Sequence, residues 1–465
     1  MDGRPVRPIN RAAFLVAVLF TGMIAGAAIW AILFAMNAGI SLIWDRFPTY
    51  LGEYYPVVVC IAGGAVIGLF TKRFGPYPEN LPAVMSKVRD EGRYEYRDLG
   101  PMAVGAVLPL VFGGSVGPEA GLTGAIAAIC TWVGDRLKRI GRDLKELTDI
   151  GMYATLSAVF GAPLFGLAGV ATEGSEGTGA SRAMRVLIYV FAIAGALSAI
   201  MMLRGIFGGG MDMPRYDGIV YGRSEIAWLI PLCLIGASAG WMFCVLDHAF
   251  RRVSAKMEGR PVLTATMAGA ALGICGVVLP LTMFSGESQT EDLNAAWTAM
   301  SAALLLATGF AKIAVTALCV NMGWRGGHFF PVIFSGIAIG YGLAAISGID
   351  PVFAVCATTA ATVGGVMRRP LMTVLLLFLC FPVESVIVLA AGAAIGSIIP
   401  LPGSIGGELG EAPPEEAPRT RCGDPPPGRR RMGGTPLRVR APGIRPRNRP
   451  RRPLRSSSWT PSRSA

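Results

Sequence analysis

Two short glycine- and proline-containing motifs constrain this chain more than any other feature of its sequence. The first begins at Gly113 (GGSVGP), and the second begins 213 residues later, at Gly326 (GGHFFP). Each motif joins two apolar stretches, and because proline suits the first turn of a helix, each predicts that a helix begins there. The free N–H groups at such a turn, together with the positive end of the helix dipole, favour an anion. Two of these helix starts in an internally repeated membrane protein predict one anion site built from both halves.

The composition predicts a membrane protein. Hydrophobic residues make up 52% of the chain and charged residues only 15%, whereas a soluble domain carries about a quarter of charged residues. Several apolar runs are long enough to span a bilayer, and others are short or interrupted by glycine and proline, which predicts broken and re-entrant helices. The sequence therefore predicts an all-α polytopic membrane protein. The apolar runs are 14–44, 56–70, 101–133, 183–202, 226–246, 262–283, 302–320, 329–346 and 371–400.

The sequence argues against several other classes of function. It contains no CxxC pair and only two histidines, so it offers no metal-site spacing. It also lacks GxSxG, Walker and HExxH motifs, so we expect neither an enzyme nor a cofactor.

The C-terminal residues 404–465 differ in composition from the rest. They hold 14 Arg, no Lys, 12 Pro and five acidic residues, a composition that cannot bury a core and predicts disorder. One interpretation is an extension without a function. The other is a basic arm that binds the anionic inner leaflet or a partner, with the membrane part serving as an anchor. Because Trp459 is the only aromatic residue of this tail, we expect no nucleic acid partner.

The internal repeat extends beyond the two motifs. The first half contains ATLSAVFGAPLFGLAGV and the second contains ATTAATVGGVMRRPLMTVLLL, with Pro163 and Pro370 in corresponding places. Both stretches predict a helix of small residues, a break and a second helix that begins with proline. If the two halves are inverted, the tips of their half-helices meet near the middle of the bilayer.

Over residues 14–400 the chain resembles the CLC family of chloride channels and proton/chloride antiporters. The resemblance rests on GGSVGPEAGLTG, FGAPLFG, and GGHFFP with the later GGVMRRPLMTVLLL; the GPEAGL form is most similar to the YfeO-type branch of bacterial ion-transport proteins. It implies a CLC-like fold of two inverted repeats and a homodimer with a separate anion pathway in each subunit. We divide the chain into a basic N-terminus (1–13), a first half (14–205), a connecting loop (206–224), a second half (225–403) and the tail (404–465).

The family's gating motif aligns with Gly114 to Pro118, and its backbone N–H groups at Ser115, Val116 and Gly117 are implied to bind the anion. The gating glutamate of the family falls on Val116, which can neither compete with an anion nor take up a proton. Glu119 follows one residue after Pro118. It either replaces the missing gate or caps the helix, where the helix dipole favours a negative charge.

The family's selectivity motif aligns with Gly327 to Pro331, and it implies that the N–H groups of Phe329 and Phe330 bind the anion. His328 either adds a titratable positive charge near the mouth or satisfies a local hydrogen bond. In a third family element Gly75 stands where a coordinating serine is expected, so only backbone contacts are possible there. The family's pore-lining tyrosine is missing, because no tyrosine follows Tyr341.

The family's internal proton-transfer glutamate aligns with Glu173, which lies in a polar stretch (TEGSEGTG) that also suits a solvated loop. The primary hypothesis is a passive, channel-like or weakly coupled pathway for small inorganic anions, with chloride as the default. The alternative is a proton-coupled chloride antiporter that uses Glu119 and Glu173. In either case we expect a multi-pass protein of the plasma membrane with both termini in the cytoplasm, because basic residues flank the first helix.

Overall fold

The structure is a computed structural model that describes residues 11–46, 52–79, 84, 86–87, 94–137, 150–151, 153–155, 157–158, 166–167, 182–209 and 214–402. Pro163, Glu173 and the basic tail lie outside the described residues, as does most of the N-terminal segment 1–13. All of the described residues belong to one compact unit.

The structure gives bounds for thirteen α-helices within the described part of the chain. They are α1 (Arg11–Trp44), α2 (Tyr55–Phe74), α3 (Leu99–Val111), α4 (Glu119–Leu137), α5 (Arg182–Phe207), α6 (Arg223–Lys256), α7 (Pro261–Val278), α8 (Glu287–Ala296), α9 (Ala302–Asn321), α10 (Phe329–Ser347), α11 (Pro351–Met367), α12 (Pro370–Leu377) and α13 (Val386–Ile398). Seven helices of this part, α1, α2, α5, α6, α7, α9 and α10, are long and apolar enough to cross a membrane. Shorter apolar helices, including α3, α4 and α11, lie among them. The predicted all-α membrane fold is confirmed.

Local sequence signals explain where several helices begin and end. Ser301 precedes α9, and its side chain accepts a hydrogen bond from the N–H of Leu304. Asp350 caps α11 in the same way, and Pro351 occupies the first helical position. Arg368, in the left-handed region at φ 57°, ends α11, and Pro370 then begins α12 as the repeat predicts.

Close packing between spans depends on small residues. Helix α2 packs on α7, and a Cβ at Gly64 would lie only 2.4 Å from the carbonyl O of Ala265 on α7. In the opposite direction, a Cβ at Gly269 of α7 would lie 2.2 Å from the carbonyl O of Cys60 on α2. Because lipid chains are as apolar as the helices, such close backbone contact is a main source of association in a membrane.

Helix α10, which begins in the second motif, lies in the centre of the protein. Of its apolar window, 83% is buried within the protein, compared with 33–50% for the other six candidate spans. It packs against α9, which precedes it, and against α11, which follows it; α11 also packs against α6 and α13. The N-terminal end of α10 is therefore held on several sides, so the backbone N–H groups there have fixed positions.

Candidate anion site

The two glycine–proline motifs meet in the structure. The N–H of Gly117 donates to the carbonyl O of Gly327, and the N–H of Gly327 donates to the carbonyl O of Gly117, both at 2.7 Å. These bonds form an isolated antiparallel bridge. Because each glycine lies two residues before the start of a helix, the bridge brings the N-terminal ends of α4 and α10 together, which is the arrangement that the repeated motif predicts.

Backbone bonds and one aromatic ring hold the turn before α4. Gly113 has a φ of +85°, and its carbonyl O accepts a hydrogen bond from the N–H of Phe284 at 3.1 Å. The N–H of Gly114 donates to the carbonyl O of Pro109 at 2.7 Å. The fully buried ring of Trp324 lies against the turn, because a Cβ at Gly114 would come within 2.8 Å of it. The turn therefore has little freedom to move.

Glu119 lies at the point where the two helices meet. It is the first residue of α4 and is only 1% exposed. Its Oε1 accepts a hydrogen bond of 2.7 Å from the N–H of Phe329, the first residue of α10. Its Oε2 is buried and has no hydrogen-bond partner among the described residues. The carboxylate of Glu119 thus accepts the hydrogen bond of the Phe329 N–H, a group that the sequence predicted to bind an anion.

The two bridging glycines make room for this carboxylate. A Cβ at Gly117 would lie 1.8 Å from Oε2 of Glu119, and a Cβ at Gly327 would lie 1.8 Å from Cδ of Glu119. Real Cβ atoms do not come so close, so any other residue at either position would displace the side chain of Glu119. Val116 lies beside Gly326, the residue before this second glycine. Val116 is fully buried, and a Cβ at Gly326 would come within 2.6 Å of its side chain.

Some of the backbone donors that we expected to face an anion are engaged with protein carbonyls instead. The N–H of Val116 donates to the carbonyl O of Gly114 at 2.8 Å, and the N–H of Gly117 is used in the bridge. Both amides have protein acceptors in this structure, and anion binding by them stays a prediction. The hydroxyl of Ser115 pairs with Oγ1 of Thr316 at 3.0 Å, and both side chains are fully buried. The N–H of Phe330 also interacts with the carboxylate of Glu119, and the N–H of Ser115 interacts with Sγ of Cys319. Anion binding by these two amides stays a prediction.

The prolines of the two motifs take different positions. The carbonyl O of Pro118 accepts the hydrogen bond from the N–H of Leu122, so Pro118 immediately precedes α4. Pro331 is buried within the first turn of α10. In both places the missing N–H of proline falls where a helix leaves its first N–H groups without intrahelical partners.

Of Gly75 and Glu173, which the sequence also singled out, the structure describes Gly75. Gly75 follows the end of α2, where its φ is +101° and its N–H donates to the carbonyl O of Thr71. The backbone after it packs on α3, because a Cβ at Gly105 would lie 3.0 Å from the carbonyl O of Tyr77. The N–H of Gly75 is already hydrogen-bonded to the carbonyl O of Thr71. Glu173 lies outside the described residues.

His328 immediately precedes α10, and its ring is held by aromatic neighbours. Its ring centroid lies 5.1 Å from that of Phe243 on α6 and 4.7 Å from that of Phe329. Its carbonyl O accepts the N–H of Val332 at 3.0 Å, while its side chain forms no capping bond. The two interpretations of His328, a titratable positive charge near the mouth and a local hydrogen bond, stay predictions.

Three residues that support the site were missed by the sequence analysis, namely Lys312, Thr316 and Trp324. Lys312 is fully buried inside the apolar run of α9, and it could have been found as a charged residue within a membrane span. Thr316 and Trp324 carry no comparable signal, because threonine and tryptophan are common in membrane helices and at their ends.

Comparisons with known proteins identify the family of this chain. A family model described as "Voltage gated chloride channel" matches residues 63–400. The chain belongs to the CLC family. Among curated relatives, the "Putative ion-transport protein YfeO" of Escherichia fergusonii is 26% identical over 317 residues, which cover 64% of this chain and 71% of the relative. The protein of the same name from Shigella sonnei is 27% identical over 317 residues with the same coverage.

Solved CLC structures share the fold at low sequence identity. A slow cyanobacterial Cl−/H+ antiporter matches with a TM-score of 0.68 and 19% identity, covering 85% of this chain and 94% of that protein. A CLC-type fluoride/proton antiporter matches with a TM-score of 0.66 and 18% identity, covering 84% and 95%. Membership of the CLC family supports anion transport across a membrane as the general function of this protein.

Proposed function

We propose that this CLC protein transports small inorganic anions, with chloride as the default, and that Glu119 is its gate. The observation that carries the proposal is the hydrogen bond from the N–H of Phe329 to Oε1 of Glu119. An ionised carboxylate is itself an anion, so it competes with chloride for the same donor and for the positive end of the α10 dipole. While it stays there, it closes the pathway.

A proton opens the gate in this proposal. Oε2 of Glu119 has no partner among the described residues, so a proton can bind there without breaking the bond between Oε1 and Phe329. Protonation removes the negative charge, and a neutral carboxyl group accepts a weaker hydrogen bond than a carboxylate does. An anion can then displace the side chain and take the freed N–H.

This geometry favours proton-coupled exchange over the passive pathway that was the primary hypothesis. A passive pathway needs no titratable group at the anion donor, whereas Glu119 is buried against it. The solved structures named above also support coupling, since their names pair chloride or fluoride with a proton. Four further expectations stay predictions: Glu173 as the internal proton-transfer residue, assembly as a homodimer, location in the plasma membrane, and both termini in the cytoplasm.

The proposal is tested with purified protein in liposomes, where the movement of anions and of protons is recorded together under an imposed chloride gradient. We expect chloride efflux accompanied by opposed proton movement. Chloride flux without proton movement would favour the passive pathway, and repeating the assay with fluoride would separate the two anions. If neither halide moved, the proposal of halide transport would be wrong.

A further inference from the structure

Lys312 is a buried lysine that the gate described above does not use. It lies in the middle of α9 and has no exposed surface. Its Nζ donates three hydrogen bonds to backbone carbonyl oxygens, to Met283 at 2.7 Å, to Phe284 at 2.9 Å and to Leu281 at 3.3 Å. Nζ also lies 4.9 Å from the centre of the Phe334 ring on α10.

The three acceptors fit the charged form of this lysine. An ammonium group has three N–H donors and no acceptor, so three carbonyl oxygens satisfy it completely. A neutral amine would have to turn its lone pair toward one of these oxygens, which would be repulsive. The face of an aromatic ring favours a cation as well. The contacts therefore match a positive charge fixed inside the protein.

The charge of Lys312 has no carboxylate counter-ion among the described residues. Among the described residues, Nζ of Lys312 donates to carbonyl oxygens and not to a carboxylate. The nearby titratable groups that act on Lys312 are the thiols of Cys275 and Cys319. Because an unbalanced buried charge is expensive in a membrane, it favours an anion in its neighbourhood.

Lys312 is linked to both motifs of the anion site. The carbonyl oxygen of Phe284 binds Lys312, while the N–H of the same residue donates to Gly113 at the start of the first motif. One helical turn after Lys312 on α9, Thr316 pairs with Ser115 of the first motif. On the other side, Phe334 belongs to the second turn of α10, which begins in the second motif.

We propose that Lys312 is a positioning residue for the anion site and the fixed positive charge that stabilises the anion there. It gathers three carbonyl oxygens that would otherwise be free to turn toward the pathway and repel an anion. By holding residues 281–284, it also holds the turn at Gly113. The inference rests on the proposed anion transport, and it adds the source of the electrostatic stabilisation.

The test compares two substitutions of Lys312 with a matched control on the same helix. Lys312→Gln removes the charge but keeps hydrogen-bond donors, whereas Lys312→Arg keeps the charge. Thr308→Val is the control, because Thr308 is 2% exposed and lies one turn before Lys312. For each variant, elution from size exclusion in detergent checks folding, and chloride flux into liposomes is measured over a range of chloride concentrations.

We expect Lys312→Gln to raise the half-saturating chloride concentration by about tenfold, which corresponds to a loss of about 1.4 kcal/mol of anion stabilisation. Lys312→Arg and Thr308→Val should leave that concentration close to wild type. A purely structural role would instead lower the maximal flux equally in both Lys312 variants without changing the half-saturating concentration, which would overturn the inference. If Lys312→Gln does not fold, a tenfold loss of affinity in folded Lys312→Arg overturns it as well. A wild-type protein that moves no halide overturns the proposed function itself, and the inference with it.

Discussion

Oε1 of Glu119 accepts a hydrogen bond of 2.7 Å from the backbone N–H of Phe329, a residue 210 positions later in the chain. The donor is the first amide of α10, and the acceptor belongs to the first residue of α4. The bond therefore joins the N-terminal ends of two helices whose dipoles both favour a negative charge. The carboxylate of Glu119 therefore lies at the positive ends of both helix dipoles. Its protonation should decide how anion transport responds to pH.

Replacing Glu119 with glutamine should remove the pH dependence of transport. In the wild type, we expect chloride flux to rise as the pH falls, because protonation removes the charge that competes with chloride, and to fall as the pH rises. The change should be at most about tenfold per pH unit, the limit for one titrating group. Glu119→Gln is neutral at every pH, so its flux should be pH-independent and should match or exceed the low-pH flux of the wild type.

Glu225→Gln is the matched control for this prediction. Glu225 is also a buried glutamate in the first turn of a helix, and its Oε1 also accepts a backbone N–H, from Asp350 at 3.5 Å. It lies at the start of α6, away from the two motifs, so its loss should leave the pH profile unchanged. Flux through Glu119→Gln that still follows pH would show that another group is the gate.

Replacing Gly327 with alanine should force the side chain of Glu119 out of its position. The new Cβ would lie 1.8 Å from Cδ and 2.0 Å from Oε1 of Glu119. We expect a loss of stability of about 1–3 kcal/mol, as for other overpacked sites, measured as a lower thermal unfolding temperature in detergent. Combining Gly327→Ala with Glu119→Ala should restore most of this loss, since the clashing atoms are then absent.

Gly100→Ala provides the control for overpacking, because a Cβ at Gly100 would have no heavy atom within 4 Å. It should unfold at the wild-type temperature. If Gly327→Ala were as stable as Gly100→Ala, the carboxylate of Glu119 would not lie between the two bridging glycines in solution.

Ser115 and Thr316 should behave as a coupled pair. Their hydroxyl groups lie 3.0 Å apart, and both side chains are fully buried. Ser115→Ala or Thr316→Val leaves one buried hydroxyl without this partner, which costs about 1–3 kcal/mol. The double variant should lose less than the sum of the two single losses. A double-mutant cycle of unfolding stability measures this, and strictly additive losses would contradict the pairing.

Removing residues 404–465 should leave anion flux unchanged. The residues that form the junction lie between Gly113 and Pro331, and the family model matches residues 63–400. Flux of the truncated and full-length proteins should be compared in liposomes with and without anionic lipid. A truncated protein that folds but no longer transports would support the hypothesis that the basic arm carries the function.

The repeated motif and the apolar runs were sufficient to predict the membrane fold. A proline after a glycine pair marks a helix start through purely local effects, namely the fixed φ of proline and the freedom of glycine. Membrane spans are also local, because twenty apolar residues are enough to cross a bilayer. Pro370 at the start of α12 is therefore a feature that the sequence determined by itself, whereas the repeat only predicted that the helix starts of GGSVGP and GGHFFP meet.

Only the tertiary structure decided what happens at the junction. The sequence could not show that Gly117 uses its amide in a bridge, that Glu119 takes the donor at Phe329, or that Lys312 finds three carbonyl oxygens. Each of these contacts joins residues that are distant in the chain, and each depends on side-chain direction and on distances of a few tenths of an ångström. Local chemistry decides where helices begin and end, whereas the partner of a buried polar group is decided by which chain segments pack around it.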